Sequence, residues 1–331
     1  MQDVADRAGV SAQTVSNVIN GRTERVGAET IDRVTRVIDE LGYRLNQSAR
    51  SLRKGRTGII GLGLPVLASE YYSELAERLS VRFAERGIRL VAENTGGAMA
   101  AEVESLAASH LETYDGFILA VAASESVDLN RLLPTKPIVL LGERALSSRF
   151  DHVLMDNVAG ACIATGHLLD RGSESLVALG GDRSGPESVQ TLRTRGFDEA
   201  HRERGLQARP ERIVNGGLDM ADGYREVCAL LDRGIGFDGI FALTDSCAHG
   251  ALRALADRRV RVPADVQVVG FDNVRASAYS TPRLTTIEPG NDEMADEIVR
   301  VMMARLQAGA TPGERHRSTA HARLVVREST R

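Results

Sequence analysis

The chain has 331 residues, of which 43% are hydrophobic and none is tryptophan, and its formal net charge is −4. This length is typical of about two domains, and no stretch approaches the ~18 consecutive apolar residues that a membrane span requires. The net charge alone argues against a nucleic-acid-binding protein. However, residues 1–56 carry ten basic and seven acidic side chains, so they are +3 and the remainder is −7. This distribution predicts a small basic head on a larger acidic body.

The cysteines and the first residues indicate the compartment. Cys162, Cys228 and Cys247 are far apart and form no CxxC pair, which argues against a disulfide framework and against a zinc site. The chain begins Met-Gln-Asp-Val-Ala-Asp-Arg, with no apolar segment of the kind that directs secretion. We therefore expect a cytoplasmic protein that needs no metal and no cofactor.

The basic head contains short apolar stretches at helical spacing. The first ends at Gly9, and Ser11 is placed to cap the second. In this second helix Val15, Val18 and Ile19 form one apolar stripe. The other face of this helix carries amide side chains, which would reach base edges if the helix lay in a major groove. An ordinary amphipathic helix with a solvated polar face shows the same pattern. That small, polar face is formed by Ala12, Gln13, Ser16 and Asn17.

A third helix and a polar segment complete the head. Ile31, Val34, Ile38 and Leu41 repeat at helical spacing, and Gly42 is placed to end the helix. Three short helices with a glycine turn between the first two predict a helix-turn-helix unit. The following residues 46–53 are polar and basic except for an alanine and a leucine, and that leucine has no evident core to enter. Residues 55–58 have the composition of a linker.

From residue 58 onward, apolar strand patterns alternate with amphipathic helix patterns. This alternation predicts parallel sheets that are covered by helices on both faces. Ligands in such folds bind beyond the carboxyl ends of the strands. The strands are predicted over 58–67, 88–94, 114–122, 136–143, 175–181, 237–245 and 266–272, with helices over 74–87, 101–111, 194–205 and 249–259. The segments expected to converge on one cleft are 65–72, 94–95, 244–245 and 271–273.

The motifs of both parts together resemble the LacI/GalR (lactose-repressor/galactose-repressor) family. The head contains DVADRAGVSAQTVSNVING and ELGYRLNQSARSLRKGRTGIIGL, and the body contains DNVAGA, VVGFDN, PRLTTI and LVVREST in the family's order and spacing. The resemblance covers essentially the whole chain. It implies a sequence-specific DNA-binding transcription regulator, a repressor rather than an enzyme. It also implies that a small-molecule effector, such as a sugar or a related metabolite, controls the operator affinity.

The resemblance also implies the fold and its boundaries. We expect a small all-α helix-turn-helix head and an α/β periplasmic-binding-protein-like body of two doubly wound parallel-sheet subdomains. The head is expected at 1–45, a hinge helix with a linker at 46–57, and the effector-binding and dimerisation body at 58–331. Within the body, the first subdomain is expected at about 58–157 and 288–317, and the second at about 158–287 and 318–331.

The resemblance assigns DNA contacts to the head. Base-reading positions match Ala12, Gln13 and Asn17, and phosphate-contacting positions match Thr14 and Ser16. In the hinge, Asn46 and Ala49 match residues at the minor groove, and Leu52 matches a leucine that is wedged between base pairs.

Two departures from the family bear on these contacts. Many relatives have Arg where this chain has Asn17. Because Arg favours guanine and Asn favours adenine, the operator is expected to differ at that base pair. Relatives also begin a few residues earlier, with a Ser or Thr that caps the first helix, so a start upstream of Met1 stays open.

The resemblance assigns effector contacts to the body. Tyr71 and Tyr72 match an aromatic pair that stacks on a sugar or base ring, and core packing is the alternative for Tyr72. Arg193 matches a donor to ligand hydroxyls or a carboxylate, and Asp272 matches an acceptor from ligand hydroxyls or amines, with an interdomain salt bridge as the alternative for the pair. Many relatives have Asn at the position of Thr244, and the shorter threonine side chain reaches less far toward a ligand.

Two other classes of protein share parts of these patterns. A secreted binding protein would share the fold of the body but would have no use for the head. A sugar-converting enzyme would need a paired acid and base, and no such constellation, P-loop, GxSxG or HExxH motif is present. The expected partners are operator DNA with two half-sites, a carbohydrate effector and a second copy of the chain. No leucine-heptad tail is seen in the sequence, so we do not expect a tetramer formed through such a tail. Whether the effector releases or tightens DNA stays open.

Overall fold

The computed structural model describes residues 1–19, 21–42, 56–123, 129, 131–132, 135–142, 149–308 and 315–331. The chain divides into two compact units, Met1–Thr57 and Gly58–Arg331. Within the described ranges, no helix is long and apolar enough to cross a lipid bilayer.

The first unit contains three short helices, α1 (Gln2–Ala8), α2 (Ala12–Ile19) and α3 (Ala28–Glu40). Helix α1 ends at Gly9, whose φ of 63° is a left-handed conformation that glycine adopts without steric cost. The backbone N–H of Thr14 donates to Ser11 Oγ at 3.1 Å, so Ser11 caps α2 as its sequence predicts. The buried core of this unit consists of Val4, Ala5, Ala8, Val15, Val34 and Val37.

The third helix differs in one respect from the expected apolar stripe. Val34 is buried as predicted, but α3 ends at Glu40 and Leu41 is 42% exposed. Val37 occupies the core instead. Because Val34 and Val37 lie three residues apart, they share a helix face that points into this small unit.

The second unit is built from twelve strands and eight α-helices among its described residues. The strands are β1 (Ile59–Leu64), β2 (Arg89–Asn94), β3 (Gly116–Ala120), β4 (Ile138–Gly142), β5 (Asp151–Met155), β6 (Leu176–Leu179), β7 (Ile213–Val214), β8 (Gly239–Ala242), β9 (Gln267–Phe271), β10 (Thr285–Glu288), β11 (Arg317–Ala320) and β12 (Arg323–Val325). The helices are α4 (Glu70–Ala84), α5 (Met99–Ser105), α6 (Ala108–Leu111), α7 (Asn157–Asp170), α8 (Val189–Glu203), α9 (Met220–Asp232), α10 (Asp245–Asp257) and α11 (Asn291–Ala308).

The strands form two six-stranded sheets, ordered β11-β5-β4-β3-β1-β2 and β12-β10-β9-β8-β6-β7. The β10–β12 pairing is antiparallel, and every other pairing among the described strands is parallel. Strands β3 and β9 are buried along their whole length, as expected for parallel sheets that are covered on both faces. The α/β architecture predicted from the sequence is therefore confirmed.

Each sheet organises one lobe of the second unit. Lobe 1 contains the first sheet with α4, α5, α6 and α11, and lobe 2 contains the second sheet with α7, α8, α9 and α10. The chain passes between the lobes three times, after β5, after β10 and after β11. Because Arg317–Ala320 pairs with β5 in the first sheet, the last passage falls after residue 320, where the sequence places the boundary at about 317.

Candidate functional site

A cleft of about 670 Å³ lies between the two lobes, at the carboxyl ends of the parallel strands. This volume is within the range of roughly 300–1,000 Å³ that is typical of small-molecule sites. The residues that line the cleft are Pro65, Val66, Ala68, Ser69, Glu70, Tyr71, Tyr72, Val121 and Ala122 from lobe 1, and Ser188, Val189, Gln190, Arg193, Leu218, Asp219, Met220, Asp222, Thr244, Ser246 and Asp272 from lobe 2. All five effector residues predicted from the sequence are brought together here.

Helix α8 carries Arg193 into the floor of the cleft. The helix begins with a capping box in which Ser188 and Thr191 satisfy each other's backbone N–H groups. Three residues after Arg193, Gly196 packs against α7, where an added Cβ would lie 2.3 Å from the carbonyl oxygen of Val158. A residue without a side chain is therefore required at this position for α8 to approach α7 closely.

The guanidinium of Arg193 is almost completely buried, with 1% of the residue exposed. Its Nε donates to Asn157 Oδ1 at 2.8 Å, and its Nη1 donates to the carbonyl oxygen of Leu243. Its Nη2 contacts Met155 Sδ at 3.2 Å and Asp272 Oδ1 at 3.3 Å. The Phe271 ring lies beneath it, with the ring centroid 3.5 Å from Cζ, which is cation–π geometry.

These contacts define what Arg193 can offer a ligand. A guanidinium has five N–H donors, and the four polar contacts use four of them. One N–H of Nη1 is left without a partner among the described residues. Arg193 also lines the cleft.

Asp272 is held in an unusual backbone conformation at the end of β9. Its φ is 117° and it is 6% exposed. Such conformations cost roughly 1–3 kcal/mol for a residue other than glycine and persist only where the surrounding structure enforces them. Here the Asp272 N–H donates to the carbonyl oxygen of Ile287, and Asn291 Nδ2 donates to the carbonyl oxygen of Asp272 at 2.9 Å. These bonds hold the backbone of Asp272 in this conformation.

The Arg193–Asp272 ion pair forms within lobe 2, because α8 and β9 belong to the same lobe. The interdomain salt bridge considered from the sequence is therefore not formed between these two residues. Their charges compensate each other at the floor of the cleft, and each still lines the cavity.

The two tyrosines and Thr244 combine structural and surface roles. The rings of Tyr71 and Tyr72 meet edge to face, with centroids 5.0 Å apart. Both pack against the buried core and both line the cleft, so the core packing considered for Tyr72 is observed, while stacking on a ligand ring stays a prediction. Thr244 Oγ1 donates to the carbonyl oxygen of Leu218 at 2.6 Å and accepts from the Cys247 N–H at 3.1 Å. Thr244 thus caps α10, and one lone pair of its Oγ1 is not used by these two bonds.

Segment 94–95, which the sequence places at the cleft, is not among its lining residues, and of segment 271–273 only Asp272 is. Asn94 accepts a hydrogen bond from the Gly96 N–H, and the hydroxyl of Thr95 donates to the carbonyl oxygen of Leu64. Asn273 bonds to Glu288 and Arg327 instead.

Several lining residues were not singled out by the sequence analysis. Gln190 Nε2 donates to the carbonyl oxygens of Gly180 and Gly216, and Asp219 caps α9. Asp219 and Met220 follow β7, which has only two residues. A strand this short leaves no alternating pattern in the sequence, so the loop after it gives no signal. The Asp219 capping position before α9 was the one available clue.

The cleft is rich in acidic side chains. Its described lining contains four acids (Glu70, Asp219, Asp222 and Asp272) and one base, Arg193. Burial raises the pKa of Glu70, and the neighbouring Glu74 raises it further. The hydrogen bond from Arg225 lowers the pKa of Asp222. Within the described residues, no group of three or more His, Cys, Asp or Glu side chains is arranged to hold a metal ion.

The predicted DNA-reading face lies on α2 of the first unit. Gln13 is exposed, while Ala12, Thr14, Ser16 and Asn17 are partly exposed. Gln13 Nε2 donates to Asn17 Oδ1 at 3.1 Å, one turn apart on the same face. This bond uses neither the Asn17 Nδ2 donor nor the Gln13 Oε1 acceptor. The predicted hinge residues Asn46, Ala49 and Leu52 lie outside the described residues.

Family models match both units. Residues 1–46 match the model described as bacterial regulatory proteins, lacI family, and residues 165–330 match the model described as periplasmic binding protein-like domain. A helix-turn-helix unit on the same chain as a two-lobed ligand cleft defines a ligand-responsive DNA-binding transcription regulator. The chain belongs to the lacI family of bacterial regulatory proteins.

Curated relatives resemble the chain over nearly its whole length. The HTH-type transcriptional regulator AscG of Escherichia coli is 31% identical over 319 residues, which are 93% of this chain and 92% of AscG. The HTH-type transcriptional repressor PurR of Pasteurella multocida is 29% identical over 338 residues, which span 100% of this chain and 98% of PurR.

Solved structures share the fold. The Lac repressor dimer bound to operator and the anti-inducer ONPF is 25% identical, with a TM-score of 0.82 over 99% of this chain and 98% of that one. The transcriptional regulator CelR in complex with cellobiose is 28% identical, with a TM-score of 0.71 over 98% of both chains.

Proposed function

We propose that the chain is a repressor, and not an enzyme, that binds a neutral carbohydrate or a similar hydroxyl-rich metabolite in the cleft. In this proposal the α2 face of Gln13 and Asn17 reads the operator, and cleft occupancy changes operator affinity. The cleft itself is the observation that carries the proposal: it combines tyrosine rings with the guanidinium of Arg193 and the carboxylate of Asp272.

The polar groups of the cleft favour hydroxyl groups as ligands. A sugar hydroxyl donates to a carboxylate and accepts from a guanidinium N–H, so Asp272 and Arg193 hold neighbouring hydroxyls. Tyr71 and Tyr72 offer apolar ring surface to a pyranose face. With four acids and one base in the lining, a phosphorylated effector would meet net repulsion. Cellobiose bound to the related CelR is consistent with this class of ligand.

The DNA-bound form is proposed to be a homodimer on a near-palindromic operator in the cytoplasm. One head presents one recognition helix, and paired half-sites match a two-fold axis. The Lac repressor structure, a dimer on its operator, supports this assembly. We propose that residues 46–57 connect the head to the body as a hinge. In that role Leu52 enters the minor groove, as the resemblance to the family implies.

The proposal is tested with the full-length protein in two arms. In the first, repeated selection from a random duplex library is expected to enrich one two-fold-symmetric site, and the Asn17→Ala variant is expected to enrich a site that is degenerate at one base pair per half. In the second, a thermal-shift panel of neutral sugars, sugar phosphates and nucleosides identifies ligands that raise the melting temperature by mass action.

Fluorescence anisotropy then measures operator affinity with and without each stabilising ligand. A neutral sugar that stabilises the protein and changes operator affinity at least several-fold supports the proposal. A ligand that stabilises the protein but leaves operator affinity unchanged contradicts the regulatory role of the cleft. The absence of any enriched DNA site contradicts the role of the head.

A further inference from the structure

A pair of contacts joins the two lobes at the edge of the cleft. Arg275 follows β9 in lobe 2, and its guanidinium Nη2 donates to Glu77 Oε2 of α4 in lobe 1 at 2.7 Å. Its backbone N–H donates to Glu74 Oε1, also on α4, at 2.6 Å. One residue thus makes a charge-assisted main-chain bond and an ion pair to the same helix of the opposite lobe.

The acceptors for Arg275 lie on a single face of α4. Glu70, Glu74 and Glu77 are spaced by four and three residues, so they are neighbours along the helix surface. These carboxylates repel one another, and Arg275 from the other lobe relieves that repulsion together with Arg78 of α4, which pairs with Glu74 at 3.3 Å. Glu70 lines both the effector cleft and a second cavity of about 520 Å³ that is bordered by Glu77 and Arg275. The contacts therefore adjoin the cleft directly.

Arg275 is also rigidly attached to its own lobe. The fully buried Asp245 accepts hydrogen bonds from the Val274 N–H at 3.0 Å and from Ser277 Oγ at 2.6 Å. Arg275 lies between these two anchored residues, three positions after Asp272. A movement of α4 relative to lobe 2 must therefore break the Arg275 contacts or displace the segment that carries Asp272.

We propose that Arg275 is a positioning residue of the effector site, which clasps lobe 2 to α4 of lobe 1 and so sets the separation of the two cleft walls. The identification of the cleft as an effector site rests on the proposed function, whereas the clasp itself does not. When the clasp is broken, the lobes separate more often and the cleft walls become more accessible to water.

The test is hydrogen exchange with mass spectrometry on the ligand-free full-length protein. The parent is compared with Arg275→Glu, Glu77→Arg and the doubly reversed variant. Exposed ion pairs contribute modestly, so we expect Arg275→Glu to accelerate exchange of cleft-lining amides in 66–72 and 218–222 by about two- to five-fold. The charge-reversed pair is expected to return these amides to within about a factor of two of the parent.

The chain provides a matched control within a single lobe. Arg283 donates to Glu328 with its backbone N–H at 3.0 Å and with Nη2 at 2.8 Å, and its exposure is similar to that of Arg275. Arg283→Glu is expected to leave the cleft amides at the parent rate. The proposal is overturned if Arg275→Glu exchanges like the parent at the cleft. It is equally overturned if the reversed pair fails to restore protection, or if Arg283→Glu accelerates the same amides. None of these outcomes depends on the identity of an effector.

Discussion

Replacing Arg193 by methionine tests how the floor of the cleft is held together. The change removes the charge and four hydrogen bonds but keeps a long side chain that fills much of the same space. Asp272 is then left as a buried carboxylate, with 8% of its side chain exposed.

The expected cost follows from this burial. Removing one member of a buried ion pair destabilises a protein by about 3–5 kcal/mol, because the remaining charge has lost its partner. Both side chains are over nine-tenths buried, so solvent screening does not reduce this figure. Asp272→Asn is expected to cost a similar amount by leaving the guanidinium unpaired. The double variant removes both charges, so its cost is expected to be about 1–3 kcal/mol smaller than the sum of the single costs.

Urea unfolding followed by tyrosine fluorescence measures these free energies. Five of the six tyrosines lie beyond residue 58, so the signal reports mainly on the second unit. A cost below about 1 kcal/mol for Arg193→Met would contradict the argument from burial. Strict additivity in the double variant would show that the two charges do not act on each other, even though the distance between them is 3.3 Å.

Four further predictions concern the head, the hinge, the assembly and pH. Asn17→Ala is expected to cost roughly 1–3 kcal/mol on the selected site and to relax specificity at one base pair; an equal loss on all sequences in anisotropy would show a positioning role instead. Leu52→Ala is expected to weaken operator binding and bending without changing effector affinity, and unchanged bending by gel mobility would contradict the wedge. Light scattering at operator-binding concentrations is expected to show a dimer, and a strictly monomeric species would disprove it. Burial, with a contribution from Arg317, lowers the pKa of His152 to about 4 from 6.5. The neutral ring is therefore favoured in the fold, and stability present above pH 6.5 is lost as pH falls toward 4. In His152→Leu this loss of unfolding free energy is expected to be about 3 kcal/mol smaller than in the parent. If urea unfolding gives the parent and the variant the same dependence of stability on pH, the reasoning is refuted.

Much of the architecture was predictable because local patterns report local structure. The alternation of residues 58–67, 88–94 and 114–122 with helical stretches predicted β1, β2 and β3, since buried parallel strands need continuous apolar runs. Helices α7, α9 and α11 have no counterpart among the helices predicted for the body. Helix α7 contacts β9, β10 and β12 on one side and α8 on the other, so its apolar residues surround the helix and leave no one-sided stripe for a periodicity argument.

The candidate site was predictable to the extent that it follows strand ends. Tyr71 and Tyr72 lie in the segment that follows one predicted strand, and Thr244 and Asp272 lie at the ends of two others. Arg193 was reached only through the resemblance to the family, because nothing in a helical sequence distinguishes a buried arginine from an exposed one. Its burial depends on Phe271 beneath it and on Gly196, which lets α8 approach α7.

The sequence by itself determined the basic helical head, the alternating strands and helices of the body, and the residue types available at the strand ends, because each of these depends on neighbours within a few positions along the chain. Only the tertiary structure decided that β11 joins the first sheet and that Arg193 and Asp272 pair within one lobe. It alone brought Arg275 to within hydrogen-bonding distance of Glu74 and Glu77, about two hundred positions away along the chain. Such contacts depend on how the two sheets pack and on where the chain crosses between them, and no local spacing of residues encodes that geometry.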